Sequence, residues 1–164
     1  MIDIKLLEQL CLCNGISGDE GNVRNLIINE IKDCADDIKT DNLGNLIVFK
    51  KGKKSAKSKL MVSAHMDEVG LMVTDITSDG YLKFDEVGGI DRRVLPGKRV
   101  CVGRNGLNGV IGMKPIHLTN GDEKTAVPKM NDMYIDIGAE SREDALKYVS
   151  SVSYTHLRAH ETSA

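Results

Sequence analysis

Apolar residues recur at helical spacing in the first third of the chain and fall in short β-prone runs between turn signals further on. Ile4, Leu7, Leu10 and Cys11 share one helical face, which predicts a helix over residues 4–13. Asn14-Gly15-Ile16-Ser17-Gly18 breaks it. Val23, Leu26, Ile27 and Ile31 predict a second helix from about Glu20 to Asp36. The acidic pair Asp19-Glu20 at its start suits the positive end of the helix dipole. A short strand is expected near Ile38 to Thr40, then a turn over Asp41-Asn42-Leu43-Gly44-Asn45 and a strand from Leu46 to Phe49. After a lysine-rich loop, the apolar run from Lys59 to His65 reads as a buried strand.

The texture changes at Gly70. Short β-prone runs follow (Leu71–Ile76, Tyr81–Val87, Arg99–Val102, Leu107–Ile111), with turn signals at Ser78-Asp79-Gly80, Gly88-Gly89 and Arg104-Asn105-Gly106. Regular short strands with Gly-rich turns point to a small barrel or sandwich. Met133 to Gly138 is one more strand, and Ser141-Arg142-Glu143-Asp144 opens a helix with a capping-box pattern. The fold class expected is therefore α/β over residues 1–69, followed by a β-rich, barrel-like region over residues 70–150. From Ser151 no periodicity continues the preceding helix. Residues 151–164 read as a non-native tail resembling translated sequencing-adaptor read-through. His156 and His160, although spaced as two metal ligands on a helix would be, are discounted on that ground.

Charge narrows the partners. Lys and Arg number 22 against 24 Asp and Glu, a net −2, without the basic excess of a nucleic-acid binder. The run Lys50-Lys51-Gly52-Lys53-Lys54, with Lys57 and Lys59, is broken by Gly and Ser and reads as a solvated loop. Cys11, Cys13, Cys34 and Cys101 follow no zinc-ribbon or disulfide spacing, and three of them lie in apolar stretches, where a free thiol behaves as a small buried hydrophobe. Met1-Ile2-Asp3-Ile4-Lys5 lacks the basic start of a signal peptide. No apolar run is long enough to span a bilayer. A cytoplasmic protein with no membrane or nucleic-acid partner is expected.

Candidate chemistry gathers where the apolar run Leu60-Met61-Val62-Ser63-Ala64 emerges into His65-Met66-Asp67-Glu68. In an extended segment His65 and Asp67 point to the same side. An imidazole can ligate a metal through one nitrogen while a carboxylate on the other fixes its tautomer. Taken alone, the pair has a plainer reading as two solvated polar residues. One histidine is also not a metal site, since a catalytic zinc takes three protein ligands and a two-metal site more.

The surrounding segments add to this. His65-Met66-Asp67-Glu68-Val69-Gly70 resembles the signature of the M42 metallo-aminopeptidases, a family that includes glutamyl aminopeptidases and proteins labelled endoglucanases. Ser17-Gly18-Asp19-Glu20 resembles that family's entry to its second helix, and Asp41-Asn42-Leu43-Gly44-Asn45-Leu46 its Asp-x-x-Gly-Asn-Leu turn. Val87-Gly88-Gly89-Ile90-Asp91, Gly109 to Leu118 and Met133 to Ala139 are similar to later family segments, in the family's order. The resemblance covers about residues 3–150.

The resemblance implies a cytoplasmic aminopeptidase with two divalent metals, zinc or cobalt, acting on peptide amino termini. It implies an α/β catalytic domain interrupted by a β-rich insert that mediates homo-oligomerisation. It makes His65 a metal ligand and Asp67 the neighbouring catalytic aspartate, and assigns Asp136 and His117 to the insert. The family's remaining ligands and its general-base Glu follow the insert and have no match here. The chain is thus expected to be a truncated, inactive amino-terminal portion. The competing expectation is a non-catalytic short protein whose β-rich module serves assembly.

Overall fold

The computed structural model describes residues 3–54, 57–113, 126–150 and 153–157. The chain divides into two compact units between Glu68 and Val69.

The first unit holds α1 (Ile4–Leu12), α2 (Gly21–Ile31) and an antiparallel hairpin of β1 (Asp37–Thr40) and β2 (Leu46–Phe49). Asp3 caps α1, its carboxylate accepting from the Lys5 and Leu6 amides. The face read from the sequence is not a buried one, because Ile4 and Leu7 are 77% and 53% exposed. α2 ends at Ile31, short of the expected Asp36. Asp36 is drawn instead into the hairpin: its amide donates to the Phe49 carbonyl and its carboxylate accepts from the Lys51 amide. The β1–β2 turn is closed by Asp41, which accepts from the Leu43 and Asn45 amides, and Gly44 takes the left-handed φ of 88° that the turn needs.

The expected buried strand at Lys59–His65 is not found. This segment pairs with no strand among the described residues, and Leu60, Met61 and Val62 are 91%, 87% and 85% exposed. An apolar run becomes a buried strand only where neighbours supply a ladder and cover both faces. The described part of the unit supplies neither.

The second unit is a closed antiparallel barrel in the order β3-β4-β7-β6-β5-β8. Its strands are β3 (Gly70–Ile76), β4 (Leu82–Val87), β5 (Arg99–Val102), β6 (Leu107–Met113), β7 (Met133–Asp136) and β8 (Tyr154–Leu157). Leu71 and Val73 face inward on β3, and a bulge between Val73 and Asp75 brings Ile76 back to the interior. Leu82, Val100, Met133 and Ile135 are fully buried, with Phe84, Val102 and Ile111 nearly so. Burying each such side chain contributes roughly 1.5–3 kcal/mol. Gly109 faces this interior where a Cβ would lie 2.7 Å from Ile135 Cγ2. A short helix, α3 (Arg142–Ala145), begins with Ser141 Oγ accepting from the Asp144 amide and seats Ala145 in the core.

The barrel is closed by β8, which pairs with β3 and β5 from within the stretch read as a non-native tail. Tyr154 and Thr155 are β-prone residues, and pairing on both sides, not helical periodicity, organises residues 154–157. Of His156 only the backbone is described, and His160 lies outside the described residues, as does His117. The cysteine expectation also changes: Cys101 is buried, Cys13 half-buried, and Cys11 and Cys34 exposed.

Candidate functional site

In the first unit, the loop between α1 and α2 is fastened to the end of the His65–Glu68 segment. Ile16 and Glu68 form a parallel bridge. The Glu68 amide donates to the Gly15 carbonyl at 2.8 Å, the Ser17 amide to the Glu68 carbonyl at 3.3 Å, and the Gly15 amide to Glu68 Oε1 at 3.3 Å. Ile16 is fully buried, and Val23 on α2 is 7% exposed beside it. Gly15 permits the approach, since a Cβ there would stand 2.5 Å from Val23 Cγ2 and 3.2 Å from the Met66 carbonyl oxygen.

On this mount His65 and Asp67 meet. His65 Nδ1 lies 3.1 Å from Asp67 Oδ1 and 3.0 Å from the Asp67 carbonyl oxygen. A carbonyl and a carboxylate only accept, so Nδ1 carries the hydrogen and Nε2 of the neutral ring keeps its lone pair. The His65 side chain is 87% exposed, which leaves Nε2 open to an incoming ligand. The Asp67 carboxyl is held below the usual aspartate range, first by a hydrogen bond from the Ser17 side chain and then by His65. It stays anionic, as an orienting carboxylate must.

This pair fits one corner of a metal centre and not the whole of one. Among the described residues no group of three His, Cys, Asp or Glu side chains could hold a metal ion. Asp136 ends β7, and its carboxylate accepts from the Gly138 amide just beyond the strand.

A cleft of about 620 Å³ opens in the same unit, lined by Glu20, Ile27, the turn and strand from Leu43 to Val48, and the segment from Met61 to Asp67. Its turn is braced by Arg24 of α2, which donates to the Gly44 carbonyl at 2.8 Å. Glu20 accepts from the Gly18 amide at 2.7 Å, so it shapes the loop and does not cap the helix. Sequence reasoning singled out His65 and Asp67 but assigned nothing to Ser17 or Glu68. Both lie in motif segments already noted, and only their pairing across 51 positions, Ser17 to Glu68, links them.

An α/β unit followed by an antiparallel barrel is shared with solved peptidases. The TET1 peptidase of Pyrococcus horikoshii, which can assemble into a tetrahedron or a large octahedral shell, superposes with a TM-score of 0.81 at 44% identity, covering 96% of this chain and 47% of that one. The sequence model of the M42 glutamyl aminopeptidases matches residues 44–163, and the chain belongs to the M42 family. A protein of Acetivibrio thermocellus that bears a provisional aminopeptidase name is 48% identical over 88% of this chain and 41% of its own length. The lysyl aminopeptidase of Pyrococcus furiosus is 36% identical over 88% of this chain and 42% of its own. The chain thus spans less than half the length of these relatives.

Proposed function

We propose that these residues carry the amino-terminal part of a metal-dependent aminopeptidase, with His65 as a ligand of a divalent metal, zinc or cobalt, and Asp67 as its orienting and catalytic aspartate. The observation that carries this is the His65 Nδ1–Asp67 contact at 3.1 Å, which leaves Nε2 exposed beside a cleft of the same unit. Family membership and the names of the relatives support the peptidase chemistry. Bound metals would polarise the scissile carbonyl and activate water. The work of this chain's own residues is narrower: Asp67 holds the imidazole in one tautomer, and the loop at Gly15–Ser17 holds Asp67.

On this reading the 164-residue chain alone is inactive, because among the described residues His65 and Asp67 are not joined by the further ligands that a group of three or more would need. Peptides are the substrates of the complete protein. The barrel serves homo-oligomerisation, a role suggested by the shell-forming Pyrococcus horikoshii peptidase. A reducing, cytoplasmic setting belongs to the same reading, and no disulfide joins Cys11, Cys13, Cys34 or Cys101. The test is hydrolysis of aminoacyl-p-nitroanilides in the presence of cobalt or zinc. The chain as it stands should give none. Chelator-sensitive hydrolysis by the purified 164-residue chain would contradict the division of labour proposed.

A further inference from the structure

The parallel bridge between Ile16 and Glu68 has a consequence for Asp67. Its two hydrogen bonds, Glu68 amide to Gly15 carbonyl and Ser17 amide to Glu68 carbonyl, set the turn that begins at Ser17 directly against the Asp67–Glu68 backbone, within reach of the Asp67 carboxylate. Ser17 is tied to this register through its own amide, 3.3 Å from the Glu68 carbonyl, and Gly15 secures the other side through the Glu68 amide at 2.8 Å. Ile16, fully buried, anchors the loop from below. Ser17 itself is exposed, so its hydroxyl contributes nothing to the core and its position beside Asp67 is open to a polar role.

We propose that Ser17 is a positioning residue for the His65–Asp67 pair, its hydroxyl donating to the Asp67 carboxylate and keeping that carboxylate turned toward His65 Nδ1. The proposal deepens the functional reading above and rests on it for its purpose, though not for its geometry. A free carboxylate on an exposed segment samples several rotamers. One held by a second donor from a separately anchored loop is confined, and the imidazole is confined with it. Serine suits the role because its hydroxyl donates one hydrogen bond and adds no charge that would compete with an incoming cation.

The experiment is long-range proton–nitrogen correlation NMR on the chain labelled with 15N-histidine, at a mildly alkaline pH where imidazole is neutral. The His65 signals are assigned by their loss in His65→Gln. The unsubstituted chain should show His65 with Nδ1 protonated and Nε2 bare. Ser17→Ala should shift the tautomer balance measurably toward protonated Nε2, the Asp67 carbonyl still accepting from part of the Nδ1–H population, while the unfolding midpoint stays in place. Thr and Val have the same shape, so Ser17→Thr and Ser17→Val guard against a folding defect: the first should keep the Nδ1–H pattern and the second show the same shift as Ser17→Ala. An unchanged pattern in Ser17→Val, or protonated Nε2 in the unsubstituted chain, would overturn the proposal. Because the readout needs neither metal nor substrate, its failure is distinct from failure of the aminopeptidase reading, which activity alone decides.

Discussion

Gly15 and Val23 are packed so closely that a Cβ on residue 15 would stand 2.5 Å from Val23 Cγ2. Gly15 has no left-handed φ, so space and not backbone conformation restricts the position. Gly15→Ala should therefore cost about 1–3 kcal/mol, as overpacking does. Amide exchange at Ser17 and Glu68 should accelerate with it, because the loop would be levered off the segment that carries Asp67. In Gly15→Ala/Val23→Ala the added methyl enters the space vacated, and the double variant should be less destabilised than the sum of the singles. Strict additivity would show that the contact is relieved elsewhere.

Thr155 lies opposite Leu71, fully buried, and its hydroxyl has no hydrogen-bond partner among the described residues. An orphaned buried hydroxyl carries a desolvation penalty of about 1–3 kcal/mol. Thr155→Val keeps the shape and removes the penalty, so thermal unfolding should show a more stable barrel. A lower midpoint would mean that the hydroxyl is satisfied within the barrel.

Four carboxyls of the second unit are held below their ordinary range: Asp75 by the Ile76 amide and Arg142, Glu86 by Arg92, Asp144 by Lys147, and Asp91 down to about 2 by Arg93. A carboxyl whose folded value is depressed stabilises the fold above its unfolded value and loses that contribution as pH falls through the folded one. For Asp91 the window runs from the ordinary 3.8 down to about 2. Acid titration of barrel stability should show a decline there that is shallower in Asp91→Asn. The effect is expected to be small, because the Asp91–Arg93 pair is exposed and solvent screens it. An identical profile in Asp91→Asn would remove Asp91 from the account.

Leu60 and Val62 are 91% and 85% exposed on a segment without strand partners among the described residues. Leu60→Ser/Val62→Ser should leave unfolding free energy within about 0.5 kcal/mol while reducing self-association measured by light scattering. A loss of several kcal/mol would show that the segment is buried after all.

This segment also marks where the sequence misleads. Leu60-Met61-Val62 has the composition of a buried strand, but burial depends on partners that local pattern does not contain. The hairpin of β1 and β2 was legible because Asp41 and Gly44 write its turn locally, and the barrel strands from Leu71 to Ile135 were legible as short β-prone runs between Gly-rich turns. Closure of the barrel by β8 was not, since Tyr154–Leu157 pairs with strands dozens of residues away. At the site, the spacing of His65 and Asp67 predicted their meeting. The fastening of Ser17 to Glu68 is a long-range contact with no local signature.

The central claim is that His65 and Asp67 belong to a metal-dependent aminopeptidase site, and the most direct measurement is made on a completed chain. Residues 1–150 joined to the remaining carboxyl-terminal sequence of the Acetivibrio thermocellus relative would be assayed on aminoacyl-p-nitroanilides with cobalt or zinc. The account predicts hydrolysis that a chelator abolishes and that His65→Ala reduces by orders of magnitude without unfolding the protein. Wild-type rates in His65→Ala would contradict it.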